Sequence, residues 1–129
     1  MAKILGIGGV FLKADDPKGL CAWYESQLGL KSGGGTMSLF HWRHADDPAK
    51  AGMTVWSLFR RDSDYFGSGA QAAMVNYIVD DLDGMLESLR AAGATVDAKR
   101  EDSEYGRFGW VTDPEGNRIE LWQPLVVAS

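Results

Sequence analysis

Tyr105–Gln123 reads Y-G-R-F-G-W-V-T-D-P-E-G-N-R-I-E-L-W-Q and is the stretch whose reading decides the fold. Asp113-Pro114-Glu115-Gly116 has the chemistry of a type I turn. Asp caps it, Pro pre-sets φ at its second position, and Gly accepts the left-handed backbone that closes it. With Gly116 in a bulge, a three-residue loop pairs Asp113 with Asn117. Period-two alternation then sets Val111 against Ile119 on one face of a hairpin and Trp110 against Glu120 on the other. Phe108 and Trp122 flank the second pair, so the spacing places one carboxylate among three aromatic rings. In a pocket, loss of water raises the pKa of such a carboxyl. Glu120 is therefore the candidate catalytic residue, with Trp110, Phe108 and Trp122 as candidate ligand-binding residues.

Working outward, the sequence suits one globular domain over 1–129. It has 129 residues, 45% hydrophobic and 24% charged, which is enough to bury a core without disulfides. The single cysteine, Cys21, cannot form an intrachain bridge, and no charged-then-apolar leader precedes the first strand. Both features point to a cytoplasmic protein. No apolar run reaches membrane-spanning length, so no membrane partner is expected. A net charge of −5 with no basic cluster excludes nucleic acid as the expected partner. A small molecule is expected instead, since aromatics line pockets as well as cores.

The rest of the chain falls into two similar halves. Ile4 to Lys13 reads as a strand. Asp15-Asp16-Pro17 starts a helix carrying Leu20, Trp23, Tyr24 and Leu28, which Gly29 ends. After the link Ser32-Gly33-Gly34-Gly35, Thr36 to His44 and Met53 to Arg60 read as strands. Residues 65–71, with two glycines, read as a linker between a first module over 1–64 and a second over 72–125. Ala73 to Val79 is a strand, Asp80-Asp81 caps a helix through Leu82, Met85, Leu86 and Leu89, and Gly93 stops it. Ala94 to Ala98 is a strand, followed by a charged loop and the hairpin. K-A-D-D-P-K-G-L at 13–20 repeats as I-V-D-D-L-D-G-M at 78–85. This order predicts an α+β fold of two tandem βαβββ modules related by a pseudo-twofold axis, forming a cupped mixed sheet around a cleft.

The runs D-P-K-G-L-C-A-W-Y-E-S-Q-L-G-L, V-D-D-L-D-G-M and D-P-E-G-N-R-I-E-L resemble the vicinal oxygen chelate superfamily, which includes glyoxalase I, extradiol dioxygenases and the fosfomycin- and bleomycin-resistance proteins. The resemblance implies paired βαβββ modules, a site in the cupped sheet and a homodimer. In metal-dependent members, the first and last strands of the modules supply ligands to a divalent ion. The corresponding positions here are Gly9, Met74, Trp56 or Ser57, and Glu120, and only Glu120 bears a ligating side chain. No cofactor or metal is expected on that basis. Asn76 shares the cleft side of its strand with Met74 and Ile78. Trp42, Trp56 and Phe40 are placed as lining from the first module, with Tyr105 and Arg107 closing over a ligand. The expected function is a glyoxalase-like protein that binds a small aromatic or heterocyclic ligand, neutral or cationic, with Glu120 as acid/base or hydrogen-bond acceptor. The alternatives are a bleomycin-resistance-like sequestering protein and a metal-dependent lyase or dioxygenase.

Overall fold

The computed structural model describes residues 2–67 and 71–125. Of the expected linker, residues 68–70 lie outside those described. The described residues form β1(Ile4–Ala14), α1(Pro17–Leu28), β2(Met37–Arg43), β3(Ala51–Arg60), β4(Ala73–Val79), α2(Leu82–Ala91), β5(Thr95–Ser103), β6(Gly106–Thr112) and β7(Arg118–Pro124). Among them, no helix is long and apolar enough to cross a membrane.

All seven strands join one mixed sheet in the order β2-β3-β1-β4-β7-β6-β5. The antiparallel β1–β4 pair is the seam between the halves. On either side of it, each half repeats the same device, with its last strand parallel to its first: β3 along β1 and β7 along β4. The two-module architecture is thus present, with the first module one strand shorter than the βαβββ pattern. Gly33 and Gly34 after α1 have φ of 63° and 84°, a left-handed backbone that does not continue as a strand.

The helix starts follow the sequence signals. Asp16 caps α1 by accepting from the Gly19 N–H, and Gly29 closes it at φ 72°. Asp81 caps α2 in the same way through Gly84. The helices differ in how they pack. Leu82 and Leu86 of α2 enter a core with Val79, Val111 and Leu121. Only Cys21 of α1 is fully buried, while Trp23 and Leu28 are 52% and 64% exposed.

The hairpin has the expected register: Trp110 opposite Glu120, Val111 opposite Ile119 and Phe108 opposite Trp122. Asp113 N–H donates to the Asn117 carbonyl, and Gly116 sits at φ 86°. One boundary moves. The charged run expected as a loop after Ala98 belongs to β5, which pairs with β6 as far as Ser103 opposite Gly106. Charged side chains such as Lys99, Arg100, Glu101 and Asp102 are what an outermost strand carries, because they discourage pairing with a second chain.

Val111 and Leu121 face α2, so alternation turns Trp110 and Glu120 to the opposite, helix-free face. A second core lies there, built from Phe11, Phe66, Met74 and Trp110 with Val55, Phe59, Tyr65 and Phe108 against it. Phe66, from the residues that join the modules, is completely buried in it.

Candidate functional site

Glu120 lies near the middle of the helix-free face, between Asn76 of β4 and Trp110 of β6 as cross-strand neighbours. It is 1% exposed. Three neutral donors converge on its carboxylate. The Asn76 Nδ2 donates to Oε1 at 2.5 Å and the Trp110 Nε1 to Oε2 at 3.0 Å. The Tyr65 hydroxyl donates to Oε2 as well. Burial raises the Glu120 pKa, and the three donors and nearby Arg118 oppose that rise. The Tyr65 phenol is itself pushed well above its ordinary value, first by burial and then by the charge of Glu120, so it stays a donor. Among the described residues Glu120 has no ion-pair partner: Arg107 pairs with Asp83, and Arg118 with Asp97.

Tyr65 was not among the sequence candidates. It comes from the expected linker, and its ring stacks on Phe59 at 5.4 Å and 9° and meets Trp110 edge-on. The signal available was an aromatic pair, Tyr65-Phe66, in a stretch that a solvated linker would have left polar. Gln71 and Arg118 fasten this segment to β7. Gln71 exchanges two hydrogen bonds with the Arg118 backbone, and the Arg118 guanidinium donates to the Tyr65 carbonyl.

A cavity of about 530 Å³ opens beside Tyr65, bounded also by Asp64, Gln71, Lys99, Trp110 and Arg118. That volume suits a small ligand. The Trp110 ring carries the protein's own cations: Lys99 Nζ and the Arg118 guanidinium lie 5.2 Å from its centre. Among the described residues Lys99 has no ion-pair partner. The expected preference for a cationic ligand does not fit this arrangement, because the cation positions over Trp110 are already filled.

The other sequence candidates divide. Phe108 and Trp122 share the face with Glu120 but stack on each other, 5.8 Å apart and 3° from parallel, and the Trp122 indole donates to the Tyr105 carbonyl. Trp56, Trp42, Phe40, Tyr105 and Arg107 are not brought to Glu120. Trp56 packs against Tyr24 of α1 on the other face. Trp42 and Phe40 share the Trp56 side through the β2–β3 register, where Trp42 bonds Thr54. The register of β2 on β3 and the parallel pairing of β3 with β1 turn the Trp56 set toward the helix and leave Val55, Ser57 and Phe59 on the Glu120 side. Arg107 is held by Asp83 of α2, and the Tyr105 side chain is 68% exposed.

Gly8 is what allows the two halves to meet closely at this site. A Cβ there would lie 2.3 Å from Asn76 Oδ1 and 2.8 Å from both Ile78 and Trp122. Asn76 Oδ1 is buried without a hydrogen-bond partner.

The superfamily's divalent ion does not fit these residues. Gly9, Met74, Trp56 and Ser57 contribute no suitable donor set, and the Glu120 oxygens are engaged by Tyr65, Asn76 and Trp110. Among the described residues, no three His, Cys, Asp or Glu side chains cluster in a way that could hold a metal.

Comparison with known proteins agrees with the fold. Streptomyces coelicolor methylmalonyl-CoA epimerase superposes over 96% of this chain and 100% of its own, with TM-score 0.69 and 14% identity. A glyoxalase/bleomycin resistance protein/dioxygenase superfamily member from Vibrio splendidus 12B01 covers 95% of this chain and 99% of its own, with TM-score 0.56 and 13% identity. In sequence, the Mycobacterium bovis protein CFP32, provisionally named a glyoxylase, is 31% identical over 98 residues, 67% of this chain. The match spans 38% of the length of that relative. The model of the glyoxalase-like domain matches residues 9–122, from the Gly9 of the seam strand to the Trp122 that follows Glu120 by two. By that match, and by a sheet that repeats itself about the β1–β4 seam, this chain belongs to the glyoxalase-like domain family.

Proposed function

We propose that the domain binds a small flat ligand on the helix-free face without a metal ion, with Glu120 as the hydrogen-bond acceptor. The observation that carries this reading is the carboxylate itself. It occupies the superfamily's terminal ligand position, yet three neutral donors of the chain satisfy it. A buried carboxylate costs several kcal/mol unless such partners surround it. The adjoining cavity of about 530 Å³ supplies the space, and Lys99 and Arg118 at its wall favour a ligand that presents a carbonyl or anionic oxygen there. A second reading, acid/base chemistry by Glu120, is supported by its raised pKa, which brings a carboxyl toward the neutral range where proton transfer is efficient. The buried lone Cys21 supports a reducing cytoplasmic setting.

The test combines elemental analysis of dialysed protein with tryptophan fluorescence titration against flat heterocycles and phenols. Saturable quenching that persists in chelator, in protein free of bound metal, is expected. A mole of Zn, Ni, Mn or Fe per chain, with binding abolished by chelator, would overturn the metal-independent reading. A panel in which no flat ligand binds would overturn the site.

A further inference from the structure

Tyr65 reaches Glu120 from outside every strand and helix, and its contacts are those a recognition site would offer a separate molecule. Its ring lies nearly parallel on Phe59 at 5.4 Å, with Phe11 and Trp110 edge-on at 6.4 Å and 6.2 Å. Stacked and edge-on neighbours at these distances are the favourable arrangements for a flat ring. At the far end its hydroxyl donates to the Glu120 carboxylate, a charge-assisted bond. The ring is only partly buried and forms one wall of the cavity of about 530 Å³, so its position is continuous with open space. The carboxylate's remaining partners, Asn76 and Trp110, come from the strands β4 and β6 rather than from the segment that carries Tyr65.

We infer that Tyr65 fills the ligand position from within, and that the external ligand is a phenol that replaces its ring on Phe59 and its hydroxyl on Glu120. This rests on the reading of the helix-free face as a small-molecule site and adds the chemical class. One O–H donor on a six-membered ring is required. A second, vicinal oxygen is not, because Asn76 and Trp110 already occupy the rest of the carboxylate.

The experiment measures phenol and anisole binding to the wild type, Tyr65→Ala and Tyr65→Phe by calorimetry and by the shift in Tm. Anisole keeps the ring and lacks the donor. Tyr65→Ala is expected to bind phenol at least about tenfold tighter than the wild type, and anisole at least about tenfold weaker than phenol, as loss of a hydrogen bond to a charged group implies. Should the alanine variant not fold, Tyr65→Phe decides the matter. It keeps the packing and removes the competing hydroxyl, and it is expected to bind phenol about three- to tenfold tighter than the wild type. Phenol binding no tighter in either variant than in the wild type would overturn the inference. Equal binding of phenol and anisole by Tyr65→Ala would also overturn it, while leaving a ring-binding site in place. A failure of every flat ligand with every protein would remove the site reading as well.

Discussion

Tyr65 and Glu120 stand 55 residues apart in sequence and share a hydrogen bond on the helix-free face of the sheet. The bond ties the residues between the two modules to the last strand of the second. It also sets the protonation of the carboxyl against a neutral donor, where the superfamily arrangement would set it against a metal.

The first prediction concerns pH. The folded chain holds the Glu120 proton to higher pH than the unfolded chain does, because burial raises its pKa. The stability this contributes is complete below the unfolded Glu value of about 4.3 and is lost as pH rises through the raised folded value. Asp83, held low by Arg100, and Asp113, held low by the Asn117 and Glu115 N–H groups and the Asn117 side chain, act with the opposite sign and lose stability in acid. Thermal melts from pH 5 to 8 should therefore show Tm falling with pH in the wild type. Glu120→Gln should flatten that slope, because an amide side chain does not titrate and so removes the linked proton. Parallel profiles for the two proteins would show that Glu120 does not control this limb.

Gly8→Ala should destabilise the domain by about 1–3 kcal/mol, the usual scale of overpacking. The added Cβ meets Asn76 Oδ1 at 2.3 Å and Trp122 at 2.8 Å, and both belong to the other half of the sheet. Urea denaturation measures this through the midpoint at constant slope. A change within about 0.5 kcal/mol, the range of an ordinary surface substitution, would mean that the seam has room to spare.

A homodimer is expected in solution. β2 is an outermost strand, and it leaves Met37, Leu39 and Phe40 about half exposed, with Trp23 and Leu28 of α1 exposed as well. Covering such an edge by twofold association is a common solution. Sedimentation velocity at micromolar concentration should show a dimer that Leu39→Lys weakens. A wild type that sediments only as monomer would refute it.

The second half of the chain was largely legible in the sequence. Turn chemistry at Asp113–Gly116 fixes the hairpin loop, and strict alternation then fixes each partner from Phe108 to Trp122. Asp81 and Gly93 bound α2 for equally local reasons. Three features were not legible, each because it depends on something distant. The charged residues after Ala98 became strand because β6 was there to pair with. Phe40, Trp42 and Trp56 share one face through the β2–β3 register, but which face that is depends on parallel pairing with β1, which no local pattern encodes. Tyr65 enters the site by folding back across the sheet, and its spacing from Glu120 carries no periodic signal.

The seam gives the chain an order of assembly. β1 completes its hydrogen bonding only when both β3 and β4 exist, and β4 only when β7 does. The inner strands of the sheet therefore depend on pairings across long stretches of chain, which form slowly compared with local contacts. During synthesis, a chain that has emerged only as far as β6 already carries Tyr65, Asn76 and Trp110, all donors, with no carboxylate to receive them. Arrival of Glu120 with β7 supplies the acceptor and joins β4 to β6 in one event. The integrity of this cluster thus reports whether β7 has been made and has paired with both β4 and β6.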